Sequence, residues 1–181
     1  MNNDAIIIVQ TVRQMKQIYE QVSLLLQSSD GIMQKEQWQN NGSTTYYGSA
    51  AIYNPTQWLP SVAQRAYTNE DYPNQRKLIA VMLEDESYRA DFEPLIIGTT
   101  LVGNDQDESF PEWSSWDAYW WHWNFVPESK NGVINKIDPT EKYPQDKRKL
   151  SEVLTFSLPL IDIKNGEALK VHVIDKLLGD E

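Results

Sequence analysis

The hydrophobic positions form a helical stripe at the start of the chain and short, strand-length runs further along. Ile8, Val12, Met15, Tyr19, Val22 and Leu26 recur at alternating spacings of four and three. That period places them on one face of a helix over residues 4–28, with Val9, Ile18 and Leu25 widening the face. Asn2, Asn3 or Asp4 can cap its start. Asp30-Gly31 can end it, because glycine tolerates the left-handed conformation that follows a helix. The same spacing is a heptad. With only about three heptads, it favours a helix packed on a core over a coiled coil.

Beyond residue 30 the pattern shortens. Asn41-Gly42 is a type I′ turn signal, since both central positions need positive φ. It would join a strand at 34–39 to one at 44–53. Asn54-Pro55-Thr56-Gln57 has the order of N-cap, first-turn proline and capping-box partner. It predicts a helical turn, a break at Pro60 and a second short helix to about Tyr67. Lys77–Leu83 and Pro94–Val102 are compact apolar runs of strand length. Val153–Lys164 alternates, with Leu154, Phe156, Leu158 and Leu160 on one face. Pro159 cannot donate to a ladder, which points to an edge strand or a bulge. Asn165-Gly166 is a second I′ signal, and Ala168–Ile174 would return as a strand. A helix over 167–178 closed by Gly179 is the competing reading. Asn131–Asp146 carries several turn dipeptides and reads as loop.

Strands that follow one another through loops of about ten residues should pair antiparallel. The expected fold is a single α+β domain over residues 1–181. Its N-terminal amphipathic helix packs on a mainly antiparallel sheet of about five to six strands.

The most unusual stretch is Trp113–Phe125, WSSWDAYWWHWNF, which holds five of the seven tryptophans. As a strand over about 117–126 it would send Tyr119, Trp121, Trp123 and Phe125 to one face. Trp120 and His122 would lie on the other. Helical spacing of Trp113, Trp116, Trp120 and Trp123 competes, and aromatic β-propensity favours the strand. Just before and into this stretch, residues 84–117 carry ten acids and one base, Arg89, a net charge of −9 out of −10 for the whole chain.

Charge and composition narrow the function classes. An acidic chain is poorly suited to binding a phosphate backbone, which needs Lys and Arg to displace counterions. The densest basic cluster, Lys142, Lys147, Arg148 and Lys149, is interrupted by Asp146. The absence of cysteine removes disulfides, thiolate nucleophiles and zinc–thiolate sites. The first residues lack the pattern of a secretory signal, and no run approaches a membrane span. A cytoplasmic protein is therefore expected, with neither nucleic acid nor membrane as its direct partner.

The leading expectation is a non-enzymatic interaction protein that needs no cofactor or metal. It would bind a basic partner protein through an acidic, Trp-rich surface spanning 84–125. Trp113, Trp116, Trp120 and His122 are its candidate binding residues, because aromatic side chains dominate interface energetics and surrounding acids select a basic partner. The residues also support two other readings. Asp162-Ile163-Lys164 has the acid-x-Lys form of metal-dependent phosphoesterases and nucleases, with Glu84 or Asp85 as a second carboxylate. Stacking on the tryptophans would suit a small ligand or carbohydrate. Asn104, Asp105, Asp107 and Glu108 offer oxygen ligands but lack the EF-hand pattern. His122 and His172 are the only histidines, and no nucleophile elbow, P-loop, dinucleotide fingerprint or zinc-protease motif is present.

Overall fold

A computed structural model describes residues 3–42, 45–47, 60–84, 92–104, 132–139 and 150–179. They form an α+β fold in which helices pack on an antiparallel sheet. The first helix, α1 (Asn3–Lys35), is followed by β1 (Gln39–Asn40), β2 (Thr45–Tyr47), β3 (Val62–Thr68), β4 (Gln75–Met82), β5 (Leu95–Gly103), β6 (Asn135–Ile137) and β7 (Leu150–Pro159). The sheet order is β1-β3-β4-β5-β7-β6, a path of six strands, with β2 also pairing β3. A short 3-10 turn, Leu160–Asp162, leads into a C-terminal helical segment. This consists of α2 (Gly166–Leu169), a π-helical turn (Lys170–Ile174) and α3 (Asp175–Leu178).

The central strands explain their own sequences. Both faces of β4 and β5 are buried, so KLIAVM and LIIGTTLV read as continuous apolar runs instead of alternating ones. Ile79, Val81, Ile96 and Phe156 face α1 and the C-terminal helices, where they meet Val22, Leu26, Met33, Leu169, Val173 and Leu177. Leu78, Leu101, Leu150 and Val153 pack together on the opposite face, as do Ala80, Met82 and Ile97. Two buried threonines, Thr99 and Thr155, pair across β5 and β7 at 2.9 Å, so that neither hydroxyl is left unsatisfied. Gly98 is favoured by packing: a Cβ there would clash with the far end of the Phe156 ring.

α1 runs seven residues past the expected end at 28. Its stripe continues through Ser29 and Met33, both fully buried, which holds the helix together across Asp30-Gly31. It stops in a Schellman motif. Trp38 N–H donates to Met33 O at 2.9 Å and Gln37 N–H to Gln34 O at 3.1 Å. Gln37 takes the left-handed conformation, φ 66°, that the motif requires. Met33 and Trp38, the two residues that motif brings together, enter the same core.

Four other expectations are corrected. Residues 34–39 are mostly the end of α1, not a strand. The turn at Gly42 has positive φ, 93°, but β1 and β2 each pair with β3 and not with one another. Val62–Thr68 is a strand where a helix was expected; its alanines, glutamine and arginine favour helix locally, and pairing of residues 62–67 with β4 overrides them. Asn165 is a helix N-cap, its side chain accepting from Ala168 N–H at 2.9 Å, so Ala168–Ile174 is helical and the hairpin is absent. Gly179, φ 84°, closes that helix, as the competing reading required. Part of the expected loop 131–146 is the strand β6, which pairs with β7. Pro159 is the last residue of β7, where a missing donor costs least. The expected helical turn after Asn54 lies outside the described residues.

Gly31 and Gly98 give opposite expectations. Gly31 is helical, exposed and has open space around its Cβ position. Gly31→Ala should raise unfolding stability in urea by about 0.5–1 kcal/mol. Gly98→Ala should lower it by about 1–3 kcal/mol through overpacking against Phe156.

Candidate functional site

Two surfaces stand out, one carried by the central strand and one by α1. The acidic stretch 84–117 is not a single ribbon. β5 runs through its middle without a charged residue and lies between β4 and β7. Five acids precede the strand and five follow it. Nine residues at about 3.3 Å each separate its ends by roughly 30 Å. The chain therefore enters β5 from one acidic sequence group and leaves it toward the other, with Glu84 and Glu93 the two of these acids among the described residues. Glu84 stands near Tyr19 of α1, and burial followed by that carboxylate's charge pushes the Tyr19 hydroxyl above its ordinary pKa. Trp113, Trp116, Trp120 and His122 lie outside the described residues, as do Asp85, Asp105, Asp107, Glu108 and the basic cluster 142–149.

α1 is about 50 Å long at 1.5 Å per residue. Its second half is clamped to the sheet by a buried polar chain. Ser29 Oγ lies 2.6 Å from the Tyr67 hydroxyl, which in turn lies 3.0 Å from Asp30 Oδ1. Ser29 Oγ also lies 2.7 Å from the Leu26 carbonyl, so its one proton is shared between that carbonyl and Tyr67, while Tyr67 donates to the Asp30 carboxylate. Arg65 completes the clamp at 2.9 Å from Asp30 Oδ2, and Asn40 donates to Asp30 Oδ1. Burial, the first cause, raises the Tyr67 pKa far above its ordinary value, and the neighbouring Asp30 charge adds to it. One strand over, Lys77, the register partner of Tyr67, reaches the carbonyl of Leu177 with its Nζ at 2.6 Å and lies over the Trp38 ring. A cation at a helix C-terminus complements the dipole there.

The first half of α1 is different. Ile7, Ile8, Val9, Val12 and Ile18 remain 44–63% exposed. Beside them, a groove of about 700 Å³ separates α1 from the segment after β7. Ile18, Leu24, Leu25, Leu160 and Ile163 line it with amides from Gln14, Gln17, Gln21 and Asn165. Lys164 is the single ionisable side chain among the described residues that line the groove. Sequence reasoning treated the whole stripe of α1 as core. The overlooked signal was its length, since a 33-residue helix outreaches a sheet whose strands have at most ten residues.

Asp162 and Lys164 do not sit at a strand end. β7 ends at Pro159, Asp162 is exposed on the 3-10 turn, and Lys164 is exposed at the groove. The acid-x-Lys pattern thus lacks its strand context. Among the described residues, no group of three or more His, Asp or Glu side chains is placed to hold a metal ion. His172 is exposed in the π-helical turn. No described helix is long and apolar enough to cross a membrane.

Comparison with known protein families, characterised proteins and solved structures finds no match. The surfaces themselves must therefore carry the functional argument.

The clamp gives a pH prediction. A tyrosine whose pKa is raised by folding contributes stability that is fully present below its unfolded value, 10.0, and is lost as pH rises above it. Urea midpoints measured from pH 8 to 11 should fall above about pH 10, and Tyr67→Phe should flatten the fall. At neutral pH the same substitution should cost about 1–2 kcal/mol, because Asp30 loses a donor in a half-buried setting.

Proposed function

We propose that the protein is a non-enzymatic interaction protein whose acidic, Trp-rich segment 84–125 binds a partner with a basic surface. The observation that carries this reading is charge segregation. Ten acids against one base fall within 84–117, and the remaining residues sum to −1. Such concentration of one sign steers an oppositely charged partner and repels others. The tryptophans that follow supply the contact chemistry, since buried Trp side chains dominate interface hot spots. The fold adds a rigid support, because the acids flank a strand buried on both faces.

The test is a tryptophan-fluorescence titration of the full chain with a Lys/Arg-rich peptide and with an Asp/Glu-rich peptide of equal length. Saturable binding is expected for the basic peptide alone, weakening steeply with salt. Trp120→Ala should reduce affinity by at least about tenfold with an unchanged circular dichroism spectrum. Equal response to both peptides, or no effect of Trp120→Ala and of the charge-neutralised triple variant Glu84→Gln/Asp85→Asn/Glu86→Gln, would count against the reading.

A further inference from the structure

The stripe of α1 changes owner part-way along the helix. In heptad terms it comprises Ala5, Ile8, Val12, Met15, Tyr19, Val22, Leu26, Ser29 and Met33. Val22, Leu26, Ser29 and Met33 are buried against the protein's own sheet and C-terminal helices. Tyr19 marks the crossover, its hydroxyl donating to the Pro60 carbonyl at 3.0 Å. Before it, Ala5, Ile8 and Val12 are exposed and Met15 is half-buried. We propose that this first part of α1 pairs with the same part of a second copy of the chain, as a short antiparallel helix pair.

Three features choose the occupant and its direction. The seam is self-complementary. With the twofold axis at residue 10, Ile8 of one copy faces Val12 of the other, and small Ala5 faces long Met15, twice each. No charged residue falls at these positions, and Thr11 beside the axis already donates its hydroxyl to Ile7 O at 3.0 Å. Charge permits the pairing. Residues 3–21 carry Asp4 and Glu20 against Arg13 and Lys16, a neutral segment on a chain of net −10. A basic partner has no reason to prefer it, whereas a second copy avoids like-charge contact there.

Direction follows from the continuity of the stripe. In a parallel pair, the partner's helix beyond Tyr19 would run into the space this copy's sheet occupies, because seam and core contact share one face. In an antiparallel pair, the partner's second half continues past the free end of α1. The packed regions, starting at Val22 in each copy, then stand about 36 Å apart along the axis at 1.5 Å per residue. That is several times the Debye length of about 8 Å, so the two acidic bodies are screened from one another. The seam has only four layers, which places it at the small end of specific interfaces and predicts a reversible, micromolar dimer.

The experiment uses the purified full chain without any partner, so its outcome is independent of the binding to basic proteins. Sedimentation equilibrium over 1–200 µM should show the mass rising from 21.0 kDa toward twice that value. Ile8→Glu/Val12→Glu replaces two exposed residues, so its circular dichroism should match the parent while it stays monomeric throughout. The chain has no cysteine, which makes cross-linking clean. Mixing the Ile8→Cys and Val12→Cys chains should give the mixed disulfide faster than either forms its own. A parent chain that remains at 21.0 kDa throughout, or a double variant that dimerises as well as the parent, overturns the proposal. Preferential 8–8 and 12–12 cross-links overturn the antiparallel arrangement.

Discussion

Tyr67 joins the sheet to the first helix at the point where both are most buried, and much of the molecule follows from that contact. Its ring lies in the main core and its hydroxyl bridges Ser29 and Asp30. Leaving either hydroxyl unpaired at that depth would cost the desolvation of a polar group, so helix and strand are fixed in one register. The clamp carries α1 across Asp30-Gly31, and the Schellman turn then delivers Trp38 to the same core. From there Lys77 and the C-terminal helical segment close around the ring of Trp38. The consequence at the other end of α1 is purely geometric. A rigid helix anchored over its second half must project its first half beyond the sheet.

That projection gives one periodic stripe two environments. Residues from Val22 onward satisfy their apolar surface within the fold. Residues before Tyr19 retain theirs, on a segment without net charge, while the chain's acidity is concentrated in the sequence on either side of β5. The proposed apolar self-pairing and the proposed attraction of a basic partner thus draw on separate parts of the sequence. Neither has to compromise the other, because the charged segment would be disrupted by an apolar seam and the seam by charge.

The sequence foretold the elements whose physics is local or whose burial is two-sided. β4 and β5 were legible because both faces are apolar, and the start and face of α1 because its period is regular. Val62–Thr68 was not, since its alanines, glutamine and arginine favour helix and only pairing with β4 decides otherwise. Asn-Gly misled twice. At 41–42 only Gly42 takes the positive φ that a type I′ turn needs at both positions, and the flanking strands pair with β3. At 165–166 asparagine caps a helix, and the decisive signal was the spacing of Leu169, Val173 and Leu177. Exposed Val171 breaks the alternation a strand would need. The end of α1 was missed because glutamine, not glycine, takes the left-handed position. The division of the stripe between self and partner is invisible to periodicity, which reports a face but not what covers it.

Hydrogen exchange along α1 at two protein concentrations tests the divided helix most directly. Amides of residues 22–35 should exchange slowly and at the same rate at 1 µM and 200 µM, because their protection comes from the chain's own sheet. Amides of residues 5–15 should exchange quickly at 1 µM and become protected at 200 µM. Equal exchange of residues 5–15 at both concentrations, or concentration-dependent protection centred on residues 22–35, would contradict the account.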